Sequence, residues 1–196
     1  MKKILFVVIR AVAGLTAYAQ PRAIGGRAGA FNGVSYEHAI GESNMIEVEL
    51  GFAVYGRSDT WDNTPYHYRM WGPTVQAAAT YDWIDPFGVT FPSMSQGEWH
   101  WYMGAGVSAG FGWKGYTTYY DAIFQAYMPA TYKCNWGYLG AAGRVGVEYD
   151  FWFPLQLSID FRPTIGAAMW DDFKGGVEPG VYWELNSFAL GVRYKF

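Results

Sequence analysis

Apolar and polar side chains alternate at every second position over long parts of the chain. The clearest example runs from Ser187 to Phe196, where aromatic or aliphatic residues alternate with small or cationic ones. A period of two is that of a β-strand whose two faces meet different surroundings. One face of this segment carries Phe188, Leu190, Val192, Tyr194 and Phe196, and the other carries Ala189, Gly191, Arg193 and Lys195.

The same alternation predicts eight strands, separated by turn-forming or irregular segments. The pair Asn32-Gly33 is typical of a two-residue hairpin turn. If these strands close into an outer-membrane barrel, in which periplasmic turns are short and outer loops long, the connection lengths place both chain ends on the periplasmic side. The predicted strands cover residues 22–31, 34–40, 45–55, 73–84, 99–112, 136–151, 155–167 and the segment from about Val181 onwards. The long outer connections are 56–72, 113–135 and 170–179. The connections on the periplasmic side are 41–44, 85–97 and 152–154.

The composition favours a barrel over a bundle of membrane helices. Apolar residues make up 51% of the chain, yet the mean hydropathy is only -0.05, whereas membrane helices need long uninterrupted apolar runs. Strands in a membrane must close on themselves so that no backbone edge is left without partners. We therefore predict an all-β protein, an eight-stranded antiparallel up-and-down transmembrane β-barrel, with Tyr194 and Phe196 as a C-terminal barrel signal.

The first residues have the pattern of a secretory signal peptide. A positive start, Met1-Lys-Lys, precedes an apolar stretch that Arg10 interrupts, and Ala17-Tyr18-Ala19 is a cleavage signal. We expect residues 1–19 to be removed after Ala19 and residues 20–196 to form the barrel domain in the outer membrane of a Gram-negative cell. The net charge of -3 becomes more negative without the basic leader, which argues against nucleic acid as a partner. Membrane lipids, and the barrel assembly machinery during insertion, are the expected partners.

Several segments resemble the small eight-stranded outer-membrane β-barrel proteins of the OmpA transmembrane domain and OmpX type. The resemblance rests on Ala-Tyr-Ala-Gln at 17–20, the strand pattern, and the terminal Arg-Tyr-Lys-Phe at 193–196. Within that group, residues 145–150, 154–163 and 190–196 look like the barrel family common in bacteria of anaerobic, glycan-rich niches, the Bacteroidota type. The resemblance implies the fold and a location in the cell envelope, and it brings no assigned activity.

Strand parity places many charged side chains inside the barrel. An eight-stranded barrel has room inside only for its own side chains, so these ions are expected to pair. We interpret them as a structural plug; a narrow proton or ion path is the alternative. The residues assigned to this lumen charge network are Arg27, Glu37, Glu47, Glu49, Asp82, Arg144, Glu148, Asp160, Arg162 and Arg193, together with His100.

The sequence contains no pattern that predicts catalysis or a cofactor. Its histidines, His38, His67 and His100, stand in no arrangement with Ser typical of lipid-modifying barrels. No His/Cys cluster has the spacing of a zinc site, and no glycine-rich segment indicates a nucleotide site. We predict a non-enzymatic protein without catalytic, cofactor or metal residues. The lone Cys134 cannot form an internal disulfide, and its role is not indicated.

Aromatic residues crowd two of the predicted outer loops. Exposed aromatic surface usually marks an interaction site, although packing within the loops explains it equally well. The leading hypothesis is a structural barrel or accessory subunit of a larger outer-membrane complex, docking other outer-membrane or surface proteins. A surface adhesin or ligand-binding barrel is the alternative, ahead of a narrow channel or a lipid-modifying enzyme. The loop candidates are Trp61, Tyr66, Tyr68, Tyr116, Tyr119, Tyr120, Phe124 and Tyr127.

Overall fold

The computed structural model describes residues 22–30, 32–60, 68–88, 96–121, 126–130, 132–171, 176–185 and 187–196. The predicted signal peptide and the loop candidates Trp61, Tyr66 and Phe124 lie outside these residues. The strands are β1 (Arg22–Gly29), β2 (Asn32–Ala39), β3 (Asn44–Thr60), β4 (Tyr68–Pro86), β5 (Gly97–Asp121), β6 (Ala126–Ala130), β7 (Tyr132–Phe151), β8 (Leu155–Phe161), β9 (Thr164–Asp171), β10 (Val177–Glu184) and β11 (Phe188–Lys195).

Eight antiparallel strands close into a ring. Their order is β1-β2-β3-β4-β5-β7-β8-β11, and β11 pairs back onto β1 with Ala23 opposite Lys195. The predicted all-β, eight-stranded antiparallel barrel is therefore confirmed. We call the end that holds Arg22 and Phe196 the lower end, and the opposite end the upper end. The described part of the chain contains no helix that is long and apolar enough to cross a membrane.

The seventh and eighth predicted strands are each divided in two. β8 pairs with the lower half of β7 and β9 with its upper half, and Arg162-Pro163 lies between them. Proline has no N–H to give to a ladder, so it interrupts strands and is tolerated at bulges. The Pro163 carbonyl still accepts a bond of 2.9 Å from the Gly143 N–H. The continuous strand predicted over 155–167 is therefore wrong at this point.

The strands extend further upward than the sequence pattern predicts. β3 reaches Thr60, β4 begins at Tyr68 and pairs with it, and β5 continues to Asp121. Most residues of the connections predicted at 56–72 and 113–135 therefore belong to strands. β10 begins at Val177, inside the connection predicted at 170–179. Tyr, Thr and Trp favour strands wherever they stand. The alternation of apolar and polar residues is absent over these segments of the sequence, and its absence hid the extensions.

The first hairpin turns earlier than predicted. Asn32 and Gly33 both belong to β2, with Gly33 opposite Arg27, so the predicted Asn32-Gly33 turn is wrong. Asn32 is the first residue of β2, and its side-chain oxygen accepts a hydrogen bond of 3.3 Å from the Gly29 N–H at the end of β1. This bond connects the two strands at the turn. This hairpin is short, and above it β10 contacts the upper part of β3.

The two faces of the barrel have opposite chemistry, and the arrangement is inverted relative to a soluble protein. Outward apolar side chains are exposed, with Val107 at 58% and Leu139 at 65%, while Arg193 inside is only 1% exposed. Outward positions from Trp101 to Phe111 cover ~33 Å along the strand, which at the usual tilt gives a band roughly 25 Å tall. Exposed aromatics gather at the lower edge of this band: Tyr81, Trp83, Trp152, Tyr194 and Phe196.

Candidate functional site

The centre of the lumen is filled by a cluster of buried ions, which we call the charged network. Seven of the eight ring strands contribute to it, because alternate residues of each strand point inward. Glu37 stands directly opposite Glu47, so two carboxylates on neighbouring strands need cations from elsewhere in the ring. The members are Arg27, Glu37, Glu47, Glu49, Asp82, Arg144, Asp160, Arg162 and Arg193.

Arg144 lies at the middle of the charged network. Its Nη1 is 2.8 Å from Asp82 Oδ2 and also contacts Glu47, while its Nη2 lies 3.5 Å from Glu37 Oε1 and 3.6 Å from Asp160 Oδ2. The guanidinium carbon sits 4.2 Å above the centre of the Tyr102 ring. One cation is therefore shared by four carboxylates and stacked on an aromatic face.

The other arginines tie the remaining strands to the same carboxylates. Arg193 donates a hydrogen bond of 2.7 Å to Glu47 and lies 3.0 Å from Glu37. Its Nε donates a hydrogen bond of 2.8 Å to the Ser35 hydroxyl. Arg27 lies 3.0 Å from Glu47 and also contacts Glu49 and Asp160. Arg162 contacts Glu49. Such pairing is what makes buried charge tolerable, and removing one partner is costly.

Above the charged network the lumen is filled by an aromatic cluster, composed of Trp136, Tyr138, Trp170 and Tyr182 around Ala168. The rings of Tyr138 and Tyr182 are stacked with their centres 3.8 Å apart. The Tyr182 hydroxyl donates a hydrogen bond of 2.8 Å to the Glu184 carboxylate. Glycines on β5 make the space, because a Cβ at Gly110 would overlap the Tyr138 ring. The strand pattern alone does not predict this cluster, although Gly110 opposite Tyr138 and Gly112 opposite Trp136 were a signal for it.

Below the charged network a cavity of about 480 Å³ lies at the lower end, and we call it the lower mouth. Its wall includes Glu37, His100, Glu148, Asp150 and Lys195. Lys195 Nζ lies 3.0 Å from Asp150 Oδ2. Glu148 is 2% exposed. The lower mouth is therefore a polar chamber under a lumen packed with paired ions and aromatic rings.

Each sequence-predicted lumen residue is buried except His100, which lies partly exposed in the lower mouth. Nine of the ten charged residues meet in the charged network, and Glu148 stands apart from them in the lower mouth. Tyr194 and Phe196 are exposed on the outside of the barrel. The Phe196 N–H donates a hydrogen bond of 2.8 Å to the Arg22 carbonyl, where β11 pairs with β1 and closes the ring. Cys134 lies on β7, opposite Gly115.

The aromatic loop candidates that the structure describes lie on strands. Tyr68 pairs with Tyr119 between β4 and β5. Tyr120 pairs with Tyr127 between β5 and β6, and Tyr116 pairs with Trp71. These positions belong to a sheet that continues upward beyond the exposed apolar band, rather than to loops.

Comparisons with known proteins give a structural likeness at low sequence identity. No protein-family model matches the chain, and no curated protein sequence matches it either. Among solved structures, the chain is similar to a major outer membrane protein from Thermus thermophilus, with a TM-score of 0.47 and 13% identity. The alignment covers 91% of this chain and 100% of that chain.

Proposed function

We propose that this chain is a small integral outer-membrane β-barrel protein with a closed lumen and no enzymatic activity. The observation that carries the proposal is the inversion of the two faces. Apolar side chains are exposed all around the barrel, and its ions are buried inside. In water such a surface would aggregate, whereas in a bilayer it meets hydrocarbon. The aromatic residues at the lower edge of the band suit a membrane interface.

The filled lumen supports a closed barrel over a channel. Arg144 and Asp82 form an ion pair at 2.8 Å in the middle of the lumen, and Asp82 is 0% exposed. The aromatic cluster lies above this pair, and its stacked rings close the lumen a second time. An ion on its way through would have to break buried pairs in succession, which opposes conduction.

We further propose that the barrel is an accessory subunit that docks other envelope proteins through its upper strand extensions. β3, β4, β5 and β7 rise beyond the apolar band, and the tyrosines of β4, β5 and β6 stand in register on them. β10 and the upper part of β3 lie side by side without a backbone ladder among the described residues. Extended sheet with tyrosines and unpaired edges is a common surface for protein contacts.

The test is to extract the native protein from its own outer membrane in mild detergent and to identify what remains bound. We expect stoichiometric partners with the wild type and their loss from a variant with Tyr119→Ser, Tyr120→Ser and Tyr127→Ser. A matched variant with Thr117→Ser and Thr118→Ser on the same strand should keep them. A barrel that migrates alone, with no other protein bound, would contradict the subunit role and would favour an adhesin. Partners kept by the tyrosine variant would contradict this docking surface.

A further inference from the structure

Three potential ligand side chains converge in the lower mouth. His100 on β5 stands directly opposite Glu148 on β7, and Asp150 follows two residues later on the same face of β7. Residues two apart in a strand point the same way, and a cross-strand pair brings Cβ atoms to about 5 Å. The result is one imidazole and two carboxylates whose ligand atoms all lie within 4.8 Å of one another.

Each of these side chains has a buried polar atom without a hydrogen-bond partner. The atoms are His100 Nδ1, Glu148 Oε2 and Asp150 Oδ1. Glu148 is 2% exposed, and among the described residues it forms no ion pair, unlike the carboxylates of the charged network. A buried carboxylate without a cation is costly, and so is an unbonded buried imidazole nitrogen. A bound cation would satisfy all three atoms at once.

We propose that His100, Glu148 and Asp150 form a binding site for a divalent transition-metal ion in the lower mouth, with Zn²⁺ as the reference ion. One imidazole nitrogen with two carboxylate oxygens is a donor set for such ions, and the remaining coordination positions fall to water. Zinc bonds of about 2.1 Å place neighbouring ligand atoms ~3.4 Å apart, so ligand atoms that lie up to 4.8 Å apart approach one another by at most ~1.4 Å on binding.

The surroundings of the three residues suit a metal ion. Glu98 lies on the other side of the imidazole, with its Oε2 3.8 Å from His100 Nε2, and a small rotation would let it accept the second ring N–H. A carboxylate in this position is typical behind a metal-bound histidine. Lys195 occupies only Asp150 Oδ2, which leaves Oδ1 for the ion. The cavity of about 480 Å³ gives room for the ion and its waters.

The proposal predicts one tight metal site per folded barrel, independent of any docking partner. The full chain is folded in detergent, stripped with EDTA, and titrated with Zn²⁺ by calorimetry, with metal content checked by elemental analysis after desalting. We expect one Zn²⁺ per chain. Binding at least tenfold weaker is expected for His100→Gln and Glu148→Gln. Glu42→Gln, a change in the same cavity wall outside the cluster, should bind as the wild type does.

Two readouts keep the test decisive. The electrophoretic shift between heated and unheated samples reports whether each variant has folded. Should a ligand variant fail to fold, X-ray absorption of the wild-type zinc adduct decides instead, since the proposal requires coordination by nitrogen and oxygen only. Failure of the folded wild type to retain Zn²⁺ would overturn the proposal. Equal affinity in the wild type and Glu148→Gln would overturn it as well.

Discussion

Arg144 reaches Asp82 across Gly104. Asp82 on β4 stands opposite Gly104 on β5, and Gly104 stands opposite Arg144 on β7, so the three residues form one row across neighbouring strands. The missing side chain at Gly104 leaves the path open for the 2.8 Å contact between Arg144 Nη1 and Asp82 Oδ2. The central ion pair of the lumen therefore depends on a residue that bears no charge.

Gly104→Ala should destabilise the barrel although it adds one methyl group. The new Cβ would overlap Asp82 Oδ1 and the Tyr81 backbone carbonyl, which a strand cannot move aside cheaply. We expect a loss of about 1–3 kcal/mol in the free energy of unfolding, as for other overpacked cores. Urea unfolding in detergent, followed by tryptophan fluorescence, measures it. Gly26→Ala is the matched control, because its Cβ would meet nothing nearer than 3.9 Å. Equal stability of the two variants would show that the space at Gly104 between Asp82 and Arg144 is not required.

Arg144→Met should be among the most damaging substitutions in the barrel. It removes the cation shared by Asp82, Glu47, Glu37 and Asp160 and leaves buried negative charge behind. The expected loss in unfolding free energy is about 3–5 kcal/mol. Adding Asp82→Asn to Arg144→Met should restore part of that loss, because one unpaired carboxylate becomes neutral. Urea unfolding of the wild type, both single variants and the double variant gives the coupling energy. Strict additivity would show that the two side chains do not interact.

Tyr182→Ala should weaken the upper lumen without opening a conducting path. The ring stacks on Tyr138 at 3.8 Å, and its removal leaves a void that costs ~3–5 kcal/mol. Tyr182→Phe keeps the ring and loses the hydrogen bonds of the hydroxyl, among them the 2.8 Å bond to Glu184, and ~1 kcal/mol is expected for the loss of such a bond. Planar-bilayer recordings should show no conductance for either variant, because the charged network still closes the lumen below. Steady single-channel currents from Tyr182→Ala would show that the aromatic cluster alone closes the barrel.

Sequence periodicity predicts well which wall residues face outward and which face inward, because this direction depends only on the alternation of side chains along a strand. Val107 faces out and Ser108 faces in because neighbours in a strand alternate, whatever the rest of the chain does. The same rule places Arg144 and Asp82 inside. It cannot say that they meet, since that depends on how each strand is staggered against the next around the ring.

The upper extensions and the lower mouth escaped prediction for different reasons. At Tyr119 the strand continues without an alternation to reveal it, so β-propensity was the only remaining signal. The His100, Glu148 and Asp150 cluster is set by the pairing of β5 with β7, which brings residues far apart in sequence directly opposite each other. The spacing of Glu148 and Asp150 by two residues was the visible half of that cluster.

A positive charge in the middle of the exposed apolar band should be costly if that band lies in lipid. Val107 is 58% exposed, lies on β5 near the centre of the band, and stands opposite Ala79 and Ala141 on its two neighbours. Val107→Arg should lower the free energy of unfolding from phospholipid vesicles by about 2–4 kcal/mol, because arginine at the bilayer midplane must leave water. Urea titration of vesicle-inserted protein, followed by tryptophan fluorescence, measures this loss.

Ser43→Arg is the matched control for Val107→Arg, because it places the same side chain in the turn between β2 and β3, below the band. Ser43 is exposed, so arginine there stays in water and should change the unfolding free energy by less than about 0.5 kcal/mol. The difference between the two variants isolates the effect of the band, since both replace an uncharged exposed residue with arginine. Equal effects would place Val107 in water rather than in lipid, and the exposed apolar face would then need cover from another protein.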